Sequence, residues 1–131
     1  MTTLYRATDG YIGAWSCWST SRETAEAYTV DGIGHGGATI VERAADLSSC
    51  LDLRSDDAGV DLVALASALG YDDARETAAE WRANGWRYPW EDSRSVRARL
   101  AESGYAWVVY YDDYPEMAET YVMVSGSYDK E

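Results

Sequence analysis

Hydrophobic and polar positions along this chain follow two different periods. Leu62, Leu65, Ala66 and Leu69 recur at the i, i+3, i+4, i+7 spacing of an amphipathic helix, which predicts a helix over residues 61–69. Other runs are short and dense in β-branched and aromatic residues, as buried strands are. These runs predict strands at residues 3–8, 14–19, 38–41, 51–53, 105–111 and 119–124.

Capping residues mark where the other helices begin. Thr20 and Glu23 match a capping box, in which the Thr20 hydroxyl accepts from the Glu23 amide and the Glu23 carboxylate reaches back to Thr20 N–H. Residues 73–84 form a further predicted helix, and Asp92 or Ser93 caps another. Glycines that end helices stand at positions 32, 70 and 104.

The order of these elements defines the fold class. Strands come early and late with helices between them, which favours an α+β fold over an alternating α/β sheet. The 131 residues contain only two prolines and no long linker, so residues 1–131 are predicted to form a single domain.

The charge balance narrows the classes of partner. Eleven Lys and Arg face 23 Asp and Glu, giving a formal charge of −12. This argues against binding a nucleic-acid backbone or an anionic membrane, since both need clustered cations. It is compatible with a basic protein partner, or simply with a solvated acidic surface.

Cysteine usage and hydropathy bear on the compartment. No run approaches the roughly 18 apolar residues of a membrane span. No signal-like apolar stretch follows Met1, so Cys17 and Cys50 are predicted to be reduced thiols in the cytosol.

Several common kinds of site are disfavoured. His35 is the only histidine and has no Cys or His cluster beside it, so no metal site is predicted. It also lies in a glycine loop, residues 32–37, with nothing to orient it as a catalytic base. That loop precedes a strand, whereas a dinucleotide-binding glycine loop joins a strand to a helix.

Three distant segments carry the most specific signal. They are Leu-Tyr-Arg-Ala-Thr at residues 4–8, Trp-Ser-Thr-Ser at residues 18–21 and Glu-Thr-Tyr-Val at residues 119–122. Their order, together with the helix after the second segment and the 104–110 strand, resembles the ADP-ribosyltransferase superfamily. The resemblance is to small phage and mobile-element members of its Arg–Ser–Glu class.

That resemblance implies a split, mixed β-sheet with flanking helices and NAD as cofactor in the cleft between its halves. Arg6 with Tyr5 would contact the cofactor, because a guanidinium binds pyrophosphate as a bidentate fork. Ser19 would position the nicotinamide ribose and the catalytic glutamate, and Tyr28 would stack on nicotinamide. Glu119 would be that glutamate, since a carboxylate stabilises an oxocarbenium-like ribose.

One position departs from the family pattern. Members that modify arginine have Gln or Glu two residues before the catalytic glutamate, but here that residue is Met117, and Glu116 is displaced by one. Arginine is therefore a disfavoured acceptor.

Three functions stay open at this point. The favoured one is a phage-encoded mono-ADP-ribosyltransferase acting on a host macromolecule in the host cytosol. The alternative is a catalytically inactive inhibitor that binds a host protein, such as an anti-phage defence protein, through an acidic or Trp-rich surface. A small structural accessory domain is the third. The Trp-rich surface would be residues 81–90, which otherwise simply cover the sheet.

Overall fold

The computed structural model describes residues 1–8, 12–30, 39–56, 59–112 and 118–124, without the side chains of residues 27–30. Six strands and five helices lie within these ranges. The strands are β1 (Thr2–Thr8), β2 (Cys17–Ser19), β3 (Thr39–Ala45), β4 (Cys50–Asp52), β5 (Trp107–Asp112) and β6 (Ala118–Met123). The helices are α1 (Arg22–Val30), α2 (Leu62–Ala68), α3 (Ala74–Ala83), α4 (Pro89–Asp92) and α5 (Arg94–Glu102).

The strands form one open sheet in the order β3-β1-β2-β6-β5-β4. Only β4 and β5 run parallel, and helices α2 to α5 connect them. The predicted α+β class with a mixed sheet is therefore confirmed. β1 pairs with β3 along seven residues, but with β2 through the single pair Tyr5 and Ser19.

Each face of the sheet carries its own hydrophobic cluster. The first joins Val108, Tyr110 and Val122 to residues of α2, α3, α4 and α5. The second contains Leu4 and Trp18, with other residues of β5 and β6 on the opposite side of the strands. Alternation along the strands produces this division, because successive side chains leave a strand on opposite faces.

Tryptophans from the 81–90 segment lie inside the first cluster. Trp81 is 5% exposed and Trp90 is 2% exposed. Trp86 is half-buried against the same cluster. This placement favours the interpretation that the segment covers the sheet, since two of its three tryptophans present little surface to a partner.

Local signals located most of the helices and strands, with some differences. α2 and α3 confirm the predicted ranges to within one residue at each end, and the Ser93 hydroxyl accepts from Val96 N–H as the cap of α5. α4 was not predicted; it begins with Pro89 at the first helical position, where the missing N–H costs nothing. The strand predicted from residue 14 starts at Cys17, because Trp15 has a φ of 69°.

The predicted capping box at Thr20 is wrong by one residue. The Ser21 hydroxyl accepts from Thr24 N–H at 3.1 Å, so Ser21 caps α1 and Thr20 is exposed. Three predicted features lie outside the described residues: the end of the first helix near residues 31 and 32, the loop at residues 32–37, and His35.

Candidate functional site

A line of hydroxyl groups crosses the middle of the sheet. Tyr5 pairs with Ser19, Ser19 with Thr120, and Thr120 with Tyr110. Directly paired residues point to the same face, so these four side chains from β1, β2, β6 and β5 form one row, here named the hydroxyl row. Tyr5 is half-buried, and the other three are between 4% and 8% exposed.

Helices bound this row at both ends. Beyond Tyr5, Glu42 of β3 continues the row and pairs with Arg22 of α1, whose Nη1 lies 3.6 Å from Glu42 Oε1. At the other end, the Tyr110 ring lies 5.2 Å from the Tyr88 ring at the start of α4. The hydroxyl row therefore lies on the helical face of the sheet, between α1 and α4.

The local sequence explains how Ser19 is held. Its Oγ accepts from Ser21 N–H at 3.0 Å, so the end of β2 turns directly into the cap of α1. A hydroxyl that accepts one hydrogen bond keeps an O–H to donate. Ser19 is thus a buried, oriented polar group at the point where strand becomes helix.

Cys17 lies beside the row, two residues before Ser19 on the same face. It is exposed, yet the surrounding protein desolvates its thiolate and raises the pKa to about 11, against the opposing effects of Arg6 and the Tyr110 hydroxyl. Burial likewise raises the pKa of Tyr110 above its usual range. Both groups are protonated at neutral pH, so Cys17 is not an activated nucleophile.

Arg6 sits where β1 and β2 diverge. Its Nη1 donates to the Cys17 carbonyl at 3.1 Å, across the junction that has only one residue pair. The guanidinium thereby supplies the hydrogen bond that the Cys17 carbonyl would receive from a backbone N–H if the pairing of β1 with β2 were longer. Tyr5 and Ser19 face one side of this junction, whereas Arg6 follows Tyr5 along β1 and leaves the strand on the other side, the face of Leu4 and Trp18.

Glu119 lies on the other face of the sheet. It pairs with Tyr111 and precedes Thr120, so alternation sends its side chain away from Ser19. There Arg54 Nη1 donates to Glu119 Oε2 at 2.8 Å, and the Tyr121 hydroxyl donates to Oε1 at 3.3 Å. The predicted set of Arg6, Ser19 and Glu119 is thus not brought to a single point.

Arg54 organises this second polar group. It also donates to both oxygens of Asp52, at 2.9 and 2.8 Å, and we name Asp52, Arg54, Glu119 and Tyr121 the Arg54 cluster. Hydrogen bonds from Arg54 hold the pKa of Asp52 below its ordinary value. Burial, with the Glu119 charge nearby, raises the pKa of Tyr121 to about 12.

Sequence reasoning assigned no role to Arg54, Tyr110 or Thr120, although Thr120 lies within the 119–122 segment. The alternation of Leu51, Asp52, Leu53 and Arg54 was a usable signal, because it places the two charged residues on one face of an extended run. No local signal indicated a role for the Thr120 or Tyr110 side chain, since only the pairing of β6 with β2 and β5 puts them beside Ser19.

The structure describes the remaining predicted site residues only in part or not at all. The backbone of Tyr28 lies in α1, but its side chain falls outside the described residues, as do Glu116 and Met117. Among the residues that are described, no three Cys, His, Asp or Glu side chains are grouped as a metal site. Within the same ranges, no helix has the length and apolar character needed to cross a membrane.

The cofactor implied by the resemblance fits part of this arrangement. Tyr5 and Ser19 offer two hydroxyls to a sugar at the β1–β2 junction, and the Arg6 guanidinium reaches the same junction from the opposite face, at the Cys17 carbonyl. Glu119 does not share the face of the two hydroxyls, and its charge is compensated by Arg54. Comparisons with protein-family models, curated proteins and solved structures find no match to this chain.

Proposed function

We propose that this chain is an NAD-binding mono-ADP-ribosyltransferase, phage-encoded, that modifies a host macromolecule in the host cytosol and is directed at host defence or metabolism. One observation carries the proposal. The strands bearing Arg6, Ser19 and Glu119 are consecutive neighbours β1, β2 and β6, although β6 lies about a hundred residues beyond β2 in the chain. A site that combines an arginine, a serine and a glutamate from three strands requires those strands to be neighbours in the sheet.

Binding is assigned to the β1–β2 junction. Arg6 anchors the pyrophosphate, because a guanidinium forms charge-assisted hydrogen bonds with phosphate oxygens. The hydroxyls of Tyr5 and Ser19 hydrogen-bond the ribose, and α1 closes the site beyond Ser19. Tyr28 is the proposed contact for nicotinamide.

The chemical role of Glu119 carries a specific requirement. Bound NAD supplies a ribose–nicotinamide bond whose cleavage generates positive charge on the sugar. A carboxylate stabilises such charge best when no other cation neutralises it. Glu119 must therefore release Arg54, 2.8 Å away, and turn toward the junction to act as the catalytic residue.

The experiment separates binding from transfer. The protein is incubated with NAD and host extract, and acceptors are sought by mass spectrometry as an added ADP-ribose. We expect transfer to be lost in Glu119→Gln, while a rise in melting temperature on adding NAD persists. Arg6→Ala should lose both, and Glu80→Gln, an exposed position on α3, should lose neither.

The second candidate is a catalytically inactive inhibitor that binds a host defence protein. The Arg54–Glu119 ion pair, on the face opposite Ser19, favours it. The acidic surface is then the binding element, since Trp81 and Trp90 are buried. A biological effect that persists in Glu119→Gln and Arg6→Ala, with no ADP-ribose adduct, would replace the transferase proposal with this one.

A further inference from the structure

Arg54 holds two carboxylates at once, through different atoms of its guanidinium. Nε and Nη2 donate to the two oxygens of Asp52 at 2.9 and 2.8 Å. Nη1 donates to Glu119 Oε2 at 2.8 Å, and Oε1 of the same carboxylate accepts from the Tyr121 hydroxyl at 3.3 Å. Each oxygen of Glu119 thus receives a hydrogen bond from the Arg54 cluster.

The two carboxylates are held with different strength. The pair with Asp52 is bidentate, and Asp52 Oδ1 also accepts from the backbone N–H of Arg54 at 3.0 Å. The contact with Glu119 uses one nitrogen of Arg54, and both side chains are partly exposed, so solvent screens it. Arg54 can therefore release Glu119 and remain paired with Asp52.

Glu119 lies where its side chain has a way out of the cluster. The ladder between β2 and β6 ends at the pair of Ser19 and Thr120. Glu119 is one residue beyond that pair, at the level where β2 has already turned into the cap of α1 at Ser21. A carboxylate released here is at the end of the ladder and next to Ser19, rather than in the middle of the sheet.

We propose that Arg54 is an inhibitory latch on Glu119, and that Asp52 sets the strength of this latch. The inference rests on the proposed transferase, in which Glu119 stabilises the ribose cation. While the latch is closed, the guanidinium compensates the charge that this role requires. Asp52 competes with Glu119 for the same guanidinium, because one positive charge is shared between two carboxylates.

The test measures nicotinamide release from NAD by the purified protein, with water as the acceptor. The ribose–nicotinamide bond breaks, a water oxygen bonds to the ribose carbon, and a proton from that water goes to solvent. At saturating NAD, Arg54→Met should raise kcat by about two- to fivefold, the range expected when a partly exposed ion pair no longer holds part of the population inactive. KM should stay unchanged, because Arg54 is on the face opposite Tyr5 and Ser19.

Two further variants keep the proposal falsifiable if Arg54→Met is damaged. Asp52→Asn should lower kcat by about twofold or more, because Glu119 then no longer shares the Arg54 charge with a second carboxylate. Tyr121→Phe removes the other hydrogen bond to Glu119 and should raise kcat by a smaller factor than Arg54→Met. Opposite effects from two members of one ion-paired cluster are not expected if the cluster is merely structural.

Matched controls change the same charges elsewhere. Arg75→Met and Asp72→Asn alter exposed positions in α3 and just before it, and each should leave kcat unchanged. Nicotinamide release that appears in Arg54→Met but not in the parent protein would support the latch most strongly.

The outcomes separate the latch from the transferase proposal. If the parent releases nicotinamide and Arg54→Met has an equal or lower kcat, the latch is wrong and the transferase proposal stands. A rise of kcat in Asp52→Asn would also overturn the latch. No release by the parent or any variant, with no rise in melting temperature on adding NAD, would remove the transferase proposal and the latch with it.

Discussion

The two faces of the central sheet carry polar groups of different kinds. The hydroxyl row is uncharged, mostly buried and bounded by α1 and α4. The Arg54 cluster is ionic and partly exposed, with Arg54 36% and Glu119 31% exposed. Thr120 belongs to the row and Glu119 to the cluster, although they are adjacent in the chain. A single step along β6 thus separates two chemically distinct surfaces.

The difference matters for the proposed transferase. Ser19 and Glu119 occupy neighbouring strands, but their side chains leave the sheet in opposite directions. Alternation also starts the Arg6 side chain on the face opposite Ser19, but its guanidinium reaches the Cys17 carbonyl at the β1–β2 junction. Arg6 therefore reaches the edge of the proposed binding site, whereas Glu119 is held by Arg54.

The largest expected effect tests whether both faces are equally well packed. Leu100, from α5 on the hydroxyl-row face, and Leu4, from β1 on the opposite face, are both 0% exposed. Leu100→Ala and Leu4→Ala should each lower the free energy of unfolding by about 2–5 kcal/mol, measured by urea denaturation. Val63→Ala, at a 38% exposed position, is the control and should change little. A much smaller loss for Leu4→Ala would show that the second face is loosely packed.

A kinetic experiment tests whether Arg6 acts on the hydroxyl-row side. The thiolate, not the thiol, is alkylated, so in a Cys50→Ala background the rate with iodoacetamide should rise with pH toward a midpoint near 11. The Arg6 charge lowers the pKa of Cys17, so Arg6→Ala should raise that pKa and slow alkylation at pH 8 several-fold. Arg22→Ala, which removes an exposed arginine from α1, should not. An unchanged rate in Arg6→Ala would place the guanidinium away from the thiol.

The cap of α1 can be tested by two neighbouring substitutions. Ser21→Ala should lower the free energy of unfolding by about 1 kcal/mol, because the Thr24 amide loses its acceptor. Thr20→Ala should have little effect at its exposed position. The free energy of unfolding of both variants is measured by denaturant unfolding. A larger loss in Thr20→Ala than in Ser21→Ala would identify Thr20 as the cap.

The smallest effect concerns the Arg54 cluster. Arg54→Gln should lower the free energy of unfolding by less than about 1 kcal/mol, since partly exposed ion pairs are screened by solvent. Arg54 depresses the pKa of Asp52, so this stabilisation is present above the ordinary Asp value of 3.8 and is lost as pH falls through the lower folded-state pKa. The parent and the variant should therefore converge in stability at low pH. A difference that grows on acidification would contradict this assignment.

Local sequence patterns located most of the helices and strands. The apolar spacing of residues 62–69 placed α2, the hydroxyl of Ser93 capped α5, and the aromatic run at 105–111 gave β5. Each depends on residues within a few positions of one another. The same kind of reasoning placed the cap of α1 at Thr20. Both Thr20 and Ser21 have a backbone N–H three residues later that their hydroxyl could accept from, and only the path of the chain after Ser19 selects Ser21.

By itself, the sequence determined the hydrophobic periods of the helices and strands, the caps of α2, α3 and α5 to within one residue, and hence the α+β class, because hydrogen bonds within a helix and alternation within a strand are local. Only the tertiary structure decided which face each polar residue of β6 occupies. That choice depends on the pairing of β6 with β2, a contact about a hundred residues apart, and a shift of one residue would exchange Glu119 and Thr120. A cavity lined in part by Arg82 and Arg87 likewise exists only in the folded chain, where the loop before α2 meets the segment after α3.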